Sequence, residues 1–124
     1  MLMLALALAL ALVAPSAFSE THQRDIACVV EVAVLADSQK RGVAAGGDVQ
    51  ASGKRWAGLV GSRIVEQSGQ PRELVAFAMT EAAKARQAKP SNDVGLAICL
   101  NQMSIELFAA DAANAPLPKP IKAQ

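Results

Sequence analysis

The chain has 124 residues, of which 12 are Lys or Arg, 11 are Asp or Glu and one is His, so its net charge is +1. This near-neutral balance gives no electrostatic basis for binding nucleic acid or an anionic membrane surface, and we expect neither as a partner. The length is sufficient for one small domain.

The first 14 residues form an unbroken apolar run of mostly Leu and Ala, which ends before Pro15. A membrane-spanning helix needs about 20 apolar residues, so this run has the length of a signal-peptide core. Ala17-Phe18-Ser19 then shows the small-x-small pattern of a cleavage site. We therefore predict a signal peptide at residues 1–19, a periplasmic or secreted protein, and no membrane attachment after cleavage. A short uncleaved anchor is the alternative, and the run lacks the basic residues that usually precede a signal-peptide core.

The segment from Thr21 to Arg41 is predicted to form the first helix. Apolar side chains recur at helical spacing, Thr21 can cap the start, and Gly42 can end the helix. The Val-rich part from Cys28 to Leu35 also suits a strand, and this alternative stays open. The predicted helical face consists of Ile26, Val29, Val30, Ala33 and Asp37, broadened by Cys28, Val32 and Leu35.

The second helix follows a flexible connection at residues 42–47. Asp48 can cap this helix, which is predicted to run to Gln67. Glycines within it weaken the helix but let another backbone approach closely, so we expect close helix packing rather than a ligand cradle. The glycines are Gly53, Gly58 and Gly61, and the apolar residues at helical spacing are Trp56, Leu59, Val60 and Ile64.

The third and fourth helices follow two breaks that contain proline. The third is predicted from Pro71, after Gly69, to about Lys89, with an acidic first turn and a basic last turn, as the helix dipole favours. Its apolar stripe is Leu74, Phe77, Ala78 and Ala85, with Val75, Met79 and Ala82 beside it. The fourth begins after Ser91 or Asn92 as its cap. Its face is Leu96, Cys99, Leu100, Met103 and Leu107, with Val94, Ile98 and Ile105 beside it.

After Ala110, three alternating prolines predict an extended, disordered tail at residues 111–124. The predicted folded part therefore covers residues 20–110. Its fold class is all-α: a small four-helix bundle-like domain held by one disulfide.

The two cysteines, Cys28 and Cys99, lie in the first and the last predicted helix. In an up-down-up-down bundle these helices are antiparallel neighbours, and the two positions differ in height by about one helical turn. We therefore predict a Cys28–Cys99 disulfide, as an oxidising compartment permits. It would enclose 71 residues, and the chain-entropy model gives such a loop a stabilisation of roughly 4 kcal/mol.

No residue pattern in the sequence indicates a specific chemistry, so we expect a protein that is not an enzyme, with no catalytic residue, cofactor or metal site. His22 is the single histidine and is expected to be exposed near the processed amino terminus. No Ser lies in a Gly-x-Ser-x-Gly elbow, and one His with two bonded Cys supplies too few metal ligands. Glu31 and Glu81 lie among apolar residues, and each is expected at a helix edge beside a basic residue.

Trp56 is the single tryptophan, and its place on an apolar stripe predicts a core residue. An exposed Trp56 next to Lys54 and Arg55 would instead form a protein-binding hot spot. We keep these three residues as a candidate interface.

The stretch from Cys99 to Ser104 (Cys-Leu-Asn-Gln-Met-Ser) resembles the late-helix Cys-Leu motif of type VI secretion amidase immunity proteins. These are also small exported helical proteins with a Cys in the first helix, although the aromatic residue expected near Met103 is missing here.

The build as a whole favours an exported, non-enzymatic protein that binds another protein, as an inhibitor, immunity protein or accessory protein. The alternatives are a small-molecule binder or enzyme with a pocket between helices, and a periplasmic chaperone.

Overall fold

The computed structural model describes residues 17–89 and 93–114, and within them the chain forms four α-helices and no strand. The all-α prediction is confirmed, and the strand alternative for Cys28 to Leu35 is wrong. Residues 1–16 of the predicted signal peptide, the predicted caps Ser91 and Asn92, and residues 115–124 of the predicted tail lie outside the described residues. The helices are α1 (Glu20–Lys40), α2 (Gln50–Ser68), α3 (Arg72–Gln87) and α4 (Asp93–Asn114).

Local hydrogen bonds explain where the helices begin and end. In the full-length chain Ser19, rather than Thr21, caps α1, because its hydroxyl oxygen accepts from the backbone N–H of His22 at 3.2 Å; the predicted cleavage after Ser19 would remove this cap. Asp48 was predicted to cap α2, but the N-cap is Val49, which has no side-chain capping bond; Asp48 lies one residue earlier and accepts from the N–H of Gln50 at 2.9 Å. Gly69 ends α2 in the left-handed region, at φ 70°, where residues with a Cβ are strained.

The helix α1 is the centre of the arrangement. It packs against α2, α3 and α4, and α2 also contacts both α3 and α4. In the described part of the chain α3 and α4 do not pack against each other. The α1–α2 pair therefore lies between α3 on one side and α4 on the other, which leaves much of α4 without a neighbour.

The core is formed by branched aliphatic side chains around one tryptophan. Trp56, Val60 and Ile64 of α2 are fully buried, as is Val32 of α1. Their spacing of four residues in α2 places them on one side of that helix. The other core residues are Ile26, Val29, Val30, Val75, Cys99, Met103 and Leu107.

Close packing of α1 and α2 depends on Gly53. A Cβ at this position would lie 3.0 Å from Cγ1 of the buried Val32. Close helix packing at Gly53 is thus confirmed. Gly58, in contrast, faces open space, so it does not serve the same purpose.

The apolar stripe predicted for α3 is rotated relative to the observed one. Val75 is buried, whereas Phe77 is 60% exposed. Phe77 shares its side of the helix with Glu73, Thr80, Glu81 and Lys84, a polar face that turns to solvent. The same holds in α1 for Ala33 and Asp37, which were predicted on the inner face and are exposed.

The Cys28–Cys99 disulfide is confirmed. It joins α1 to α4 with a Cα–Cα distance of 5.0 Å, and no cysteine is free.

The last helix is longer than predicted. It continues to Asn114, four residues beyond the predicted end of the domain at Ala110.

Candidate functional site

Trp56 is inside the protein, so its interpretation as an exposed binding hot spot is wrong. Its ring is fully buried, and its Nε1–H donates to Oε1 of Glu106 at 3.1 Å. The physical reason is its place on the same side of α2 as Val60 and Ile64. Lys54 and Arg55 are exposed, and Arg55 forms an ion pair with Asp111 of α4.

A polar network joins three helices next to Trp56. Arg63 of α2 donates to Glu106 of α4 at 2.8 Å and to Asp25 of α1 at 3.2 Å. Gln102 donates to both carboxylates, at 2.9 Å to Glu106 and 3.2 Å to Asp25. The network therefore fixes α4 against α1 and α2 by directional contacts, in addition to the disulfide.

The ionised form of Glu106 is favoured in the fold. Burial alone would raise the pKa of Glu106, but hydrogen bonds from Gln102, Trp56 and Arg63, with the charge of Arg63, lower it below its ordinary value. A carboxyl group held in this way is a poor proton donor or acceptor near neutral pH. The network thus has the character of a structural ion pair.

His22 is buried, so the prediction that it is exposed is wrong. Its Nε2 lies 2.8 Å from Oε1 of Gln67 on α2, and its Nδ1 has no hydrogen-bond partner among the described residues. Within those same residues no group of three or more His, Cys, Asp or Glu side chains could hold a metal ion.

The two carboxylates predicted to pair with basic residues do so. Glu31 forms an ion pair with Arg86 of α3, and Glu81 lies 3.3 Å from Lys84 in the next turn of the same helix. The Glu31–Arg86 pair therefore joins α1 to α3, whereas the Glu81–Lys84 pair is an exposed pair within α3.

A groove of about 750 Å³ runs between α2 and α4. Arg55, Arg63 and Glu66 are among its charged residues. The two guanidinium groups are already paired with acidic side chains of the protein itself. A ligand here would have to compete with those ion pairs, so the groove is a weak candidate for a small-molecule site.

The strongest candidate site is the side of α4 that points away from the core. Val94, Ile98, Ile105 and Phe108 are 72%, 63%, 61% and 78% exposed. At about 100° per residue, they point about 180° away from the buried Cys99, Met103 and Leu107. We call this surface the outer face of α4; it also includes the exposed Ala97, Asn101, Ala109 and Ala112.

The outer face carries no charged side chain, which is unusual for a solvated helix surface. Soluble monomers rarely expose contiguous apolar patches larger than a few hundred Å², and larger ones mark interaction sites. The arrangement can therefore bind an apolar surface, and it offers no group for chemistry.

By length and composition α4 would be able to cross a membrane, and little of it is buried in the fold. Its inner side nevertheless belongs to the domain, because Cys99 is bonded to α1 and Glu106 is held by Arg63 and Trp56. Both sides of α4 are thus apolar, but one side packs in the core and the other is exposed.

Arg63, Gln102 and the outer face of α4 were not identified from the sequence. The network partners are far apart in the chain, 38 residues for Arg63 and Asp25 and 77 for Gln102 and Asp25. Val94, Ile98 and Ile105 were predicted beside the core-facing stripe of α4, and this prediction is wrong, because all three are exposed on the opposite side. Their helical spacing was the signal that the outer face left in the sequence.

Comparison with known proteins finds no matching family model, no similar curated protein and no similar solved structure. In this fold, Cys99, Gln102 and Met103 of the motif-like stretch serve the disulfide, the polar network and the core.

Proposed function

We propose that the protein is an exported, non-enzymatic interaction domain that binds a protein through the outer face of α4. The observation that carries this proposal is four large apolar side chains, each more than 60% exposed, on the side of the helix opposite the core. Such a surface is costly to leave in water and gains free energy when a partner covers it.

One feature of the fold and one of the sequence support export to the periplasm or the extracellular space. The disulfide fits an oxidising compartment. The apolar run at residues 1–14 has the length of a signal-peptide core. The surrounding architecture supports binding rather than catalysis, because the half-buried polar groups around Arg63 are used to hold the helices together.

The test is an affinity capture from periplasmic or culture extract with the oxidised protein as bait. We expect one stoichiometric protein partner that Phe108→Lys no longer captures. Phe77→Lys is the matched control, because Phe77 is similarly exposed but lies on α3. Capture that is unaffected by Phe108→Lys would place binding elsewhere. No protein partner, together with a small molecule retained in native mass spectrometry, would refute the proposal.

A further inference from the structure

We infer that the outer face of α4 binds a second copy of the same chain, in an antiparallel two-fold dimer with Asn101 at its centre. This inference rests on the proposed function and names the partner at that surface. It is argued from the spacing, the symmetry and the charge of the face.

The spacing of the face is that of a helix–helix seam. Successive positions of its central line are separated by 4, 3, 4, 3 and 4 residues, which is the heptad pattern that keeps a helix in contact with another helix. The positions are Val94, Ile98, Asn101, Ile105, Phe108 and Ala112. A flat or irregular partner would not require this regularity.

The seam is also nearly symmetric about Asn101. In an antiparallel pair with its two-fold axis there, Val94 of one copy lies opposite Phe108 of the other, and Ile98 lies one residue from the position opposite Ile105. Each large Phe side chain then meets a smaller Val, and the helix dipoles of the two copies oppose each other favourably. A two-fold interface needs this kind of self-complementary surface.

Asn101 is the single polar side chain on the central line of the seam. Its amide has both donor hydrogens and an acceptor oxygen, so two copies that meet on a two-fold axis can satisfy each other. A single Asn in an apolar seam is also a known means of fixing register. An apolar foreign partner would leave this amide unsatisfied.

The charges around the face favour a second copy over a foreign partner. The helix α4 contains no Lys or Arg, and Glu106 and Asp111 are already paired with Arg63 and Arg55. Interfaces with transient foreign partners usually have a polar rim, whereas homodimer interfaces are more apolar. The outer face between Val94 and Ala112 therefore has no basic side chain, and no charged residue lies on its central line.

The size of the face predicts a weak dimer. A strip about 27 Å long on a helix 10–12 Å wide gives roughly 300 Å² per copy in projection. A pair would bury on the order of 600 Å², which is below the roughly 1,000 Å² of a stable specific interface and is typical of a weak, transient one. We therefore expect a dissociation constant in the micromolar range or above.

Sedimentation equilibrium of the exported, oxidised protein tests the inference directly. We expect a monomer–dimer equilibrium that Phe108→Lys and Ile98→Lys each weaken at least tenfold, while Phe77→Lys leaves it unchanged. Far-ultraviolet circular dichroism and thermal melts of each variant separate loss of association from loss of folding. A protein that stays monomeric at millimolar concentration, or one whose dimer is indifferent to Phe108→Lys, would overturn the inference.

The geometry is tested by cysteine cross-linking, with the Cys28–Cys99 bond verified by peptide mapping. Asn101→Cys should form a disulfide-linked dimer, whereas Val94→Cys should not cross-link to itself. Efficient self-cross-linking of Val94→Cys would overturn the antiparallel arrangement. A monomeric protein that captures a foreign partner through Phe108 would refute the dimer and leave the proposed function standing.

Discussion

The two sides of α4 are both apolar, yet they are built differently. The inner side places Cys99, Met103 and Leu107 in the core and is bordered by Gln102 and Glu106, whose polar atoms contact α1 and α2. The outer face carries the larger side chains of Val94, Ile98, Ile105 and Phe108, each more than 60% exposed. The difference shows that composition alone does not distinguish a core-facing surface from an exposed one; the neighbouring helices decide.

The largest expected effect is loss of the covalent link on the inner side. We expect the double change Cys28→Ser and Cys99→Ser to lower the free energy of unfolding by about 3–4 kcal/mol, because the disulfide closes a loop of 71 residues. Chemical denaturation of the variant and of the oxidised wild type measures this. Two free thiols in the oxidised wild type, or equal midpoints for the two proteins, would contradict the expectation.

The sharpest test of the comparison uses two adjacent residues. Leu107 is 8% exposed and Phe108 is 78% exposed. We expect Leu107→Ala to cost about 2–4 kcal/mol through lost burial and a cavity. Phe108→Ala should change the stability of the monomer by less than about 0.5 kcal/mol. Both are read from urea unfolding at low protein concentration, and similar values for the two variants would break the distinction between the faces.

Glu106 lies at the border of the inner side and provides a pH-dependent test. Its pKa is lowered in the fold because hydrogen bonds and Arg63 outweigh the effect of burial. The unfolded chain therefore binds this proton at higher pH than the folded protein. The stability that Glu106 contributes is present above its unfolded pKa of about 4.3 and is lost as pH falls through the folded pKa.

We accordingly expect Glu106→Gln to lower stability by about 1–2 kcal/mol at pH 7. The difference from wild type should shrink as the pH falls below about 4.3. Thermal melts from pH 3 to pH 7 measure it. Glu81→Gln is the control, because the Glu81–Lys84 pair is exposed and should contribute little. A difference from wild type that does not depend on pH would contradict this assignment.

The smallest effects concern two glycines of α2: Gly53, which packs against Val32 of α1, and Gly58, which faces open space. We expect Gly58→Ala to stabilise the protein by about 0.5–1 kcal/mol, since helix propensity improves and nothing lies near the new methyl group. Gly53→Ala should destabilise it by about 1 kcal/mol, because the methyl group meets the buried Val32. A Gly53→Ala variant that melts at a higher temperature than wild type would contradict the close approach at Gly53, and a Gly58→Ala variant that melts lower would contradict the open space at Gly58.

Much of the fold was predictable because it depends on short-range patterns. Four helices follow from apolar periodicity and breaks, and two cysteines in one small domain leave a single intramolecular pairing. Core placement of Trp56 follows from its spacing to Val60 and Ile64. The sequence predicted that Glu31 pairs with a basic residue, but it did not identify the partner, Arg86, which is 55 residues away in the chain.

The rest depends on which helices are neighbours, and periodicity carries no such information. His22 of α1 is buried next to Gln67 of α2, which its ring nitrogen contacts. The network around Arg63 forms only because α1, α2 and α4 bring Asp25, Arg63 and Glu106 to the same level along the bundle. On α4, the predicted core face with Cys99, Met103 and Leu107 is the buried one. Apolar residues also occur on the opposite side, and the sequence could not show that this second side is left exposed. On α3, the polar neighbours of Phe77 in the sequence indicate that its side of the helix faces solvent.

The disulfide has a further consequence for a protein that encounters proteases. Residues 28 to 99 form a covalent ring that contains all of α2 and α3, together with the connection after α1. Arg41 and Gly42 are exposed in that connection, so a trypsin-like enzyme can reach the bond between them. A single cut there opens the ring without releasing a fragment, and the link between α1 and α4 survives it. The nicked molecule would therefore migrate as one species without reductant and as two with it.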